Sequence, residues 1–394
     1  MTDKSAPSSL NVLLVIPTLA CGGAEVLVCN LAMALQDAGH RVLVLCNRLP
    51  EKSYEMIPNK EKLEQSIEIR YTNDVVRFRF LRKPIFKNEA LKEILETFQP
   101  DVIHSNLFLA EVYSRSYLSP TATYVTHVHD NMFQLERPGW KVWLSKQKLT
   151  AAWERMWLLG KYRESHTRFI AISPDVKQFL ENALPQSRQH IHLLPNAIDL
   201  QRFCGRKTDF VSDGVLRMVS VGSLVKKKNH QLLIQLAVLM KEANLLFEIH
   251  IYGDGVLRES LQQQTTFCGV QEQVFFHGNS PEVATHMHRA DVYVHPATYE
   301  PFGLVLLEAM ASGLPVISLD GFGNRELIQD GENGFLLPNQ ADASALLEKI
   351  LWLMADKQRM VLMAEKGLAF SKNFGMEAYV QKMLACYQSP NNKK

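Results

Sequence analysis

Several large protein classes are argued against by what this chain lacks. Its six cysteines (Cys21, Cys29, Cys46, Cys204, Cys268, Cys386) form no CxxC pair and have no histidine partner at zinc spacing, so neither a metal site nor a disulfide framework is indicated. Nowhere do about 18 apolar residues run together, so no segment reads as crossing a bilayer. The opening MTDKSAPSSLNVLLVIP has a polar start and an apolar run too short for a secretory leader, and Asn11 to Pro17 reads as a first strand. A reducing, cytoplasmic location is therefore expected. Formal net charge is only +2, too little for a general nucleic-acid binder held by many phosphate contacts. G-x-G-x-x-G is missing as well, which weakens a dinucleotide-binding reading.

What is present is a large apolar share. With 394 residues and 46% hydrophobic content, the chain can bury two cores more readily than one. Short apolar runs alternate with helix-period segments: NVLLVIP, a helix from Ala24 to Ala38, RVLVLC, a helix near Asn88 to Phe98, DVIHSN, a helix near Ala110 to Tyr117, and TYVTHVH. TRFIAIS and HIHLLP continue the series, and PNAIDLQRF with GRKTDFVSDG reads as a linker and turn region. The alternation then restarts with LRMVSVGS, LFEIHIYGDG, VFFHG, DVYVHP, LPVISLDG and GFLLP, and the chain is helical from Ala341 to about Tyr387. Buried strands with helical crossovers predict an α/β fold of two doubly wound parallel sheets, Rossmann-like, facing one another across a cleft. The expected domains are residues 1–198, residues 199–372, and a C-terminal helix with its tail over 373–394.

Function in such folds sits on the loops after strands. Gly22 and Gly23 follow the first strand, where missing side chains let a ligand approach the backbone and a helix N-terminus; a plain turn is the simpler reading. His127 and His129 alternate onto one side of their strand, and His129 at its end suits a near-neutral pKa or simple hydrogen bonding to hydroxyls, with a satisfied structural histidine as the alternative. Lys226, Lys227 and Lys228 follow Gly222 and Ser223 between a strand and a helix, so one ammonium can reach a diphosphate, although three lysines are equally at home in a solvated loop. In YEPFGLVLLEAMASGLPV, Glu300 precedes a proline suited to a first helical turn, so it is expected at the helix start beside the NH groups of Phe302, Gly303 and Leu304. Glu308 would then lie about 12 Å further along the axis, each acid serving one end of an extended ligand. A charge favoured by the helix dipole and a buried hydrogen-bonded acid are the alternatives; together the two carboxylates are costly to bury unless a ligand or partner meets them.

GGAE at Gly22–Glu25, THVHD at Thr126–Asp130, AISPDV, PNAIDLQRF, VGSLVKKKNH, IYGDG, VFFHG and above all EPFGLVLLEAMASGLPVI from Glu300 to Ile317 resemble family 4 retaining glycosyltransferases of the GT-B fold over nearly the whole chain. The resemblance implies a nucleotide diphosphate sugar (UDP- or GDP-linked) as donor substrate, held by the second domain, and neither cofactor nor metal; the absence of a DxD triplet agrees. It implies catalytic roles for Glu300 at the donor sugar, Lys228 at the departing diphosphate and His129 from the first domain. Donor binding would fall to Glu308 at the ribose, to the amides of Phe302, Gly303 and Leu304, and to Gly222 and Ser223, with Gly22 and Gly23 on the acceptor and phosphate side. Front-face attack, with the leaving phosphate taking the acceptor proton, is the implied mechanism. The family commonly carries arginine where this chain has Ser223, so Lys226 or Lys227 is expected to compensate.

The acceptor is expected to be a glycan or a polyprenyl- or other lipid-linked sugar, for surface polysaccharide or glycolipid synthesis. Residues 77–92 hold six basic residues and one acid, and residues 137–168 hold eight and two, interleaved with Phe and Trp. Such stretches suit an anionic membrane surface at the inner face of the cell membrane; an inward stripe through Trp153 and Trp157 is the alternative. A non-catalytic sugar-nucleotide-binding scaffold and a sugar-nucleotide epimerase are the competing functions on the same architecture.

Overall fold

The computed structural model describes residues 9–72, 74, 76–77, 84–136, 145–205 and 207–389. The chain packs as two units: residues up to Pro195 together with those from Tyr379 onward, and Asn196–Ala378.

In the first unit the strands are β1 (Asn11–Ile16), β2 (Arg41–Cys46), β3 (Glu68–Tyr71), β4 (Val76–Arg77), β5 (Ile85–Phe86), β6 (Val102–Asn106), β7 (Thr123–Val128), β8 (Thr167–Ala171) and β9 (Ile191–Leu193). Seven form one parallel sheet in the order β3-β2-β1-β6-β7-β8-β9, and β4 and β5 pair separately as an antiparallel hairpin. Its helices are α1 (Gly23–Asp37), α2 (Lys60–Ser66), α3 (Glu89–Thr97), α4 (Phe108–Ser114), α5 (Lys146–Glu164) and α6 (Pro174–Ala183). The apolar runs became strands because both sheet faces are covered: in β1 every residue after Asn11 is buried. The strand order reverses between β1 and β6, so the loops after those strands open on the switch point where such sheets bind ligands.

The second unit begins with α7 (Leu200–Phe203), capped by the Asp199 carboxylate. Strands β10 (Leu216–Val221), β11 (Phe247–Tyr252), β12 (Val274–Gly278), β13 (Val292–His295), β14 (Val316–Leu319) and β15 (Phe335–Leu337) form a parallel sheet in the order β12-β11-β10-β13-β14-β15. Around it lie α8 (Gln231–Glu242), α9 (Arg258–Phe267), α10 (Val283–Arg289), α11 (Leu304–Ala311), α12 (Ala343–Met354) and α13 (Lys357–Ser371). Met218, Ile249, Ile251, Leu233, Ile317 and Leu346 belong to its core.

The final helix, α14 (Met376–Gln388), joins the first unit from Tyr379 onward. Arg168 on β8 donates to the carbonyls of Tyr387 (2.5 Å) and Ser389, a cation on the free acceptors of a helix C-terminus. The Tyr387 hydroxyl also meets His104 Nδ1 on β6 at 2.7 Å.

Periodicity missed the edge elements. β3, the β4–β5 hairpin, α2 and α6 lie in stretches whose pattern is short or mixed, and α4 starts and ends earlier than Ala110 to Tyr117. The segment read as a linker, PNAIDLQRF, is folded structure: Ile198 pairs with Gly375 and Phe203 is buried.

The first unit also buries an ion pair. Arg115 Nε meets Glu111 Oε1 at 2.7 Å, both side chains essentially inaccessible, and Thr126 Oγ1 donates to the same carboxylate at 2.7 Å while accepting from Arg115 Nη2 at 3.0 Å. The rings of Tyr124 and Tyr162 lie 4.7 and 5.0 Å from the guanidinium. Removing one partner strands the other charge, so Arg115→Ala is expected to destabilise this unit by about 3–5 kcal/mol. Arg115→Met combined with Glu111→Leu is expected to cost less. Urea unfolding of both variants checks this, and a double variant as unstable as the single would contradict it.

Candidate functional site

Four loops at the carboxyl ends of the second sheet are tied together by their own backbones. After β10, Gly222 donates to the Tyr252 carbonyl at 2.9 Å, and Leu224, fully buried, donates to Asp254 at 2.9 Å. A β-carbon on Gly253, whose φ is +135°, would fall 2.1 Å from the Gly222 oxygen, so only glycine lets these loops approach. The Lys227 carbonyl accepts from Thr298 after β13 (2.9 Å). Glu300 donates to Gly321 after β14 (2.8 Å), and Gly323 returns a bond to the Glu300 carbonyl (3.0 Å).

This stitching places Lys228, Glu300 and His295 side by side. Lys228 Nζ lies 2.5 Å from Glu300 Oε2, and His295 Nε2 lies 3.0 Å from the same oxygen. Glu300 is only 8% exposed. Burial pushes its carboxyl up, but the His295 hydrogen bond and the Lys228 charge outweigh burial and hold it down at about 2. Burial lowers His295 below the usual imidazole range, so the neutral ring donates through Nε2, while Nδ1 lies 3.4 Å from the Tyr293 hydroxyl. The other Glu300 oxygen, Oε1, takes no hydrogen bond among the described residues. The result is an ionised carboxylate with one oxygen locked and the other able to accept from a ligand.

The expected helix start is corrected. α11 begins at Leu304, not before Pro301, because Gly303 turns into a left-handed conformation (φ 101°, ψ 51°) as its N-cap. Glu300 instead lies in extended backbone paired with Phe322, so the 12 Å spacing along one axis does not apply. The amides of Phe302, Gly303 and Leu304 donate to no acceptor among the described residues and remain available to an anion.

Glu308, half-buried on α11, has the opposite electrostatics. Burial raises its carboxyl to about 7, against the opposing effect of Arg202 on α7. Arg202, whose guanidinium also donates to the Pro281 carbonyl, comes from the stretch read as a linker. Sequence reasoning also missed His295, and Asn324, whose amide bonds Gly321, Ser318 and Leu319 and holds the Gly321–Gly323 turn. The DGFGN stretch was the signal available for Asn324; nothing marked His295 apart from its place at a strand end.

Ser223, Lys226 and Lys227 are exposed on the turn after β10, with Lys227 Nζ 5.3 Å from the Tyr299 ring centroid. In the first unit Gly23 opens α1 with Gly22 as an uncapped N-cap residue, and a β-carbon on Gly22 would meet the Glu25 carboxylate at 2.3 Å. His129 Nε2 pairs with Asn106 Oδ1 at 2.9 Å and its ring lies 4.1 Å from that of His127. Burial drives its pKa down to about 4, which leaves hydrogen bonding and not titration near neutrality: this imidazole is an uncharged hydrogen-bonding group. Parts of the two basic aromatic stretches, residues 78–83 and 137–144, lie outside the described residues. Trp153 and Trp157 are half-buried on α5, Trp157 packing 5.2 Å from Phe86. Among the described residues, no three His, Cys, Asp or Glu side chains are grouped to hold a metal ion, and no helix is long and apolar enough to cross a membrane.

Two family descriptions match the chain: Glycosyltransferase Family 4 over residues 21–202 and Glycosyl transferases group 1 over residues 208–370. The chain is a family 4 glycosyltransferase of the GT-B fold. EpsF of Bacillus subtilis (strain 168) is 26% identical to this glycosyltransferase over 324 residues, 79% of the chain and 80% of EpsF. The lipopolysaccharide core biosynthesis glycosyltransferase LpsE of Rhizobium meliloti (strain 1021) is 31% identical over 180 residues, so the match spans 44% of the chain and about half of LpsE (51%). Among solved structures, Anabaena HepE in complex with UDP and glucose superposes with a TM-score of 0.75 at 21% identity, covering 97% of this chain and all of that one (100%).

The raised Glu308 carboxyl makes the glycosyltransferase's stability pH-dependent. The unfolded acid ionises near 4.5, the folded one only near 7, so the native state holds the extra proton between these values and stability falls as pH rises through that window. Glu308→Gln removes the effect. The wild-type melting temperature, relative to that of the variant, is expected to drop by about 3 °C from pH 5 to pH 8, as differential scanning fluorimetry would register; parallel curves would contradict it.

Proposed function

We propose that this glycosyltransferase moves a sugar, with retention of anomeric configuration and without a divalent metal, from a nucleotide diphosphate sugar to a glycan or lipid-linked acceptor of a surface polysaccharide or glycolipid. The observation that carries this reading is the Glu300–Lys228–His295 cluster beside the free amides of Phe302, Gly303 and Leu304. Glu300 Oε1 accepts from hydroxyls of the donor sugar. The Lys228 ammonium and the amides meet the charge that grows on the β-phosphate as the C–O bond breaks, and such prepositioned donors act most strongly on the transition state. The departing phosphate takes the proton of the attacking hydroxyl on the same face. Glu308 binds the ribose hydroxyls, Gly222 and Ser223 border the diphosphate, and Lys226 or Lys227 supplies the charge that Ser223 does not. HepE's complex with UDP and glucose supports a sugar nucleotide as donor.

The acceptor belongs to the first unit, with His129 hydrogen-bonding to a substrate hydroxyl and Gly22 and Gly23 along the acceptor and phosphate side. A cavity of about 570 Å³ there, lined by Pro17, Leu107, Phe108, Leu109 and Ala151 together with the polar Gln134, Gln147, Thr150 and Glu154, opens at the β1–β6 switch point and exposes mostly apolar surface, which suits the non-sugar part of a lipid-linked acceptor. Residues 77–92 and 137–168 would hold the enzyme at an anionic membrane.

Thermal-shift titration with UDP- and GDP-sugars is expected to raise the melting temperature with at least one of them. With that donor, Glu300→Ala and Lys228→Ala are each expected to lose about 10²–10³-fold in turnover, and Lys226→Ala or Lys227→Ala a smaller factor. Wild-type binding without any donor turnover or hydrolysis would favour a non-catalytic scaffold. Flotation with anionic liposomes tests the membrane reading: the protein is expected in the vesicle fraction at low salt, and recovery wholly in the soluble fraction would end it.

A further inference from the structure

The residue that pairs with Glu300 is unexpected on physical grounds. Phe322 has φ 78° and ψ −78°, the geometry of a tight γ-turn that is strained for any residue bearing a β-carbon. Its neighbours cannot carry side chains at all: a β-carbon on Gly321 would sit 2.8 Å from the Glu300 nitrogen, and one on Gly323 1.8 Å from the Pro301 oxygen. The turn is held from every side, by the Glu300 bonds to Gly321 and Gly323, by Asn324 on Gly321, and by the Asp320 carboxylate, which accepts from Phe322 N at 2.9 Å. Glycine would satisfy this backbone without strain. The position instead holds a large aromatic ring that contributes little to the core, being 48% exposed. The ring is oriented by its surroundings: Arg325, itself paired with Asp320 at 3.1 Å, lies 5.6 Å from the ring centroid, and the Tyr299 ring lies 6.3 Å away.

We propose that Phe322 is a stacking platform for the pyranose ring of the transferred sugar and so a determinant of which sugar is accepted. A pyranose presents one face of axial C–H groups, apolar and slightly electropositive, which matches the negative face of an aromatic ring. Its hydroxyls point outward from that face and remain free for Glu300 Oε1. The inference rests on the donor site proposed above, and explains why strain is retained at the one position of the Gly321–Gly323 turn that can project a side chain beside Glu300.

Calorimetric affinities for UDP-glucose against UDP, and GDP-mannose against GDP, test this on the wild type and on Phe322→Ala, Phe322→Gly and Phe322→Trp. For the sugar nucleotide that the wild type prefers, the Ala and Gly variants are expected to lose about three- to tenfold in affinity with no change for the bare nucleotide, and the Trp variant to keep wild-type discrimination. Phe322→Gly is also expected to melt no lower than wild type, because the strain is relieved. An undiminished sugar contribution in the Gly variant, a parallel loss for the bare nucleotide, or a melting temperature lowered by several degrees would each overturn the platform. If the wild type binds none of the four compounds, the donor site falls and Phe322 with it; wild-type binding that is unaltered in both small variants removes Phe322 alone.

Discussion

The second unit turns on one buried carboxylate. Glu300 loses most of its hydration, a loss that would ordinarily protonate it, and it stays ionised because Lys228 and His295 converge on a single oxygen. That convergence requires the loops after β10, β13 and β14 to be in register. Their backbones supply it through Thr298 on Lys227 and the paired bonds between Glu300 and Gly321–Gly323. The glycines at 253, 321 and 323 follow from the same constraint, since a β-carbon at any of them would collide with a neighbouring loop. A site built this way is preorganised: its charge is in place before a ligand arrives.

Glu308 shows what the same side chain does in other company. The Arg202 charge opposes burial too weakly, burial prevails, and the Glu308 carboxyl rises to about 7 while that of Glu300 falls to about 2. Two acids of one motif thus hold different charge states near neutrality, the separation by which proteins assign different tasks to identical groups. The first unit uses burial differently again. Arg115 and Glu111 pair with one another and with Thr126, and His104 within β6 and His129 just after β7 are kept neutral, His104 bonded to Tyr387 of α14 and His129 to Asn106.

Much of the fold was legible because apolar runs such as NVLLVI and VYVH have no stable place except a strand buried on both faces. The short edge strands and α7 were not, since their few apolar residues acquire meaning only against partners far away in the chain, as Ile198 does against Gly375. At the candidate site, Glu300 and Glu308 could be singled out because charged groups interrupting an apolar segment demand compensation, and Lys228 only as one of three lysines in a loop between a strand and a helix. The identity of the compensating groups could not be read, because His295 at the end of β13 and Arg202 on α7 are brought to the two acids by tertiary packing.

The amino-acid sequence alone therefore determined the succession of strands and helices, the two-sheet architecture and the positions where buried charge had to be answered; these follow from local periodicity and from the cost of dehydrating ions. Only the tertiary structure decided that Glu300 stands outside α11, that one of its oxygens is locked while the other is open, that His129 is uncharged and that Phe322 occupies a strained turn. Each of these depends on which loops meet at the end of a sheet, and that is set by contacts between residues far apart in the chain.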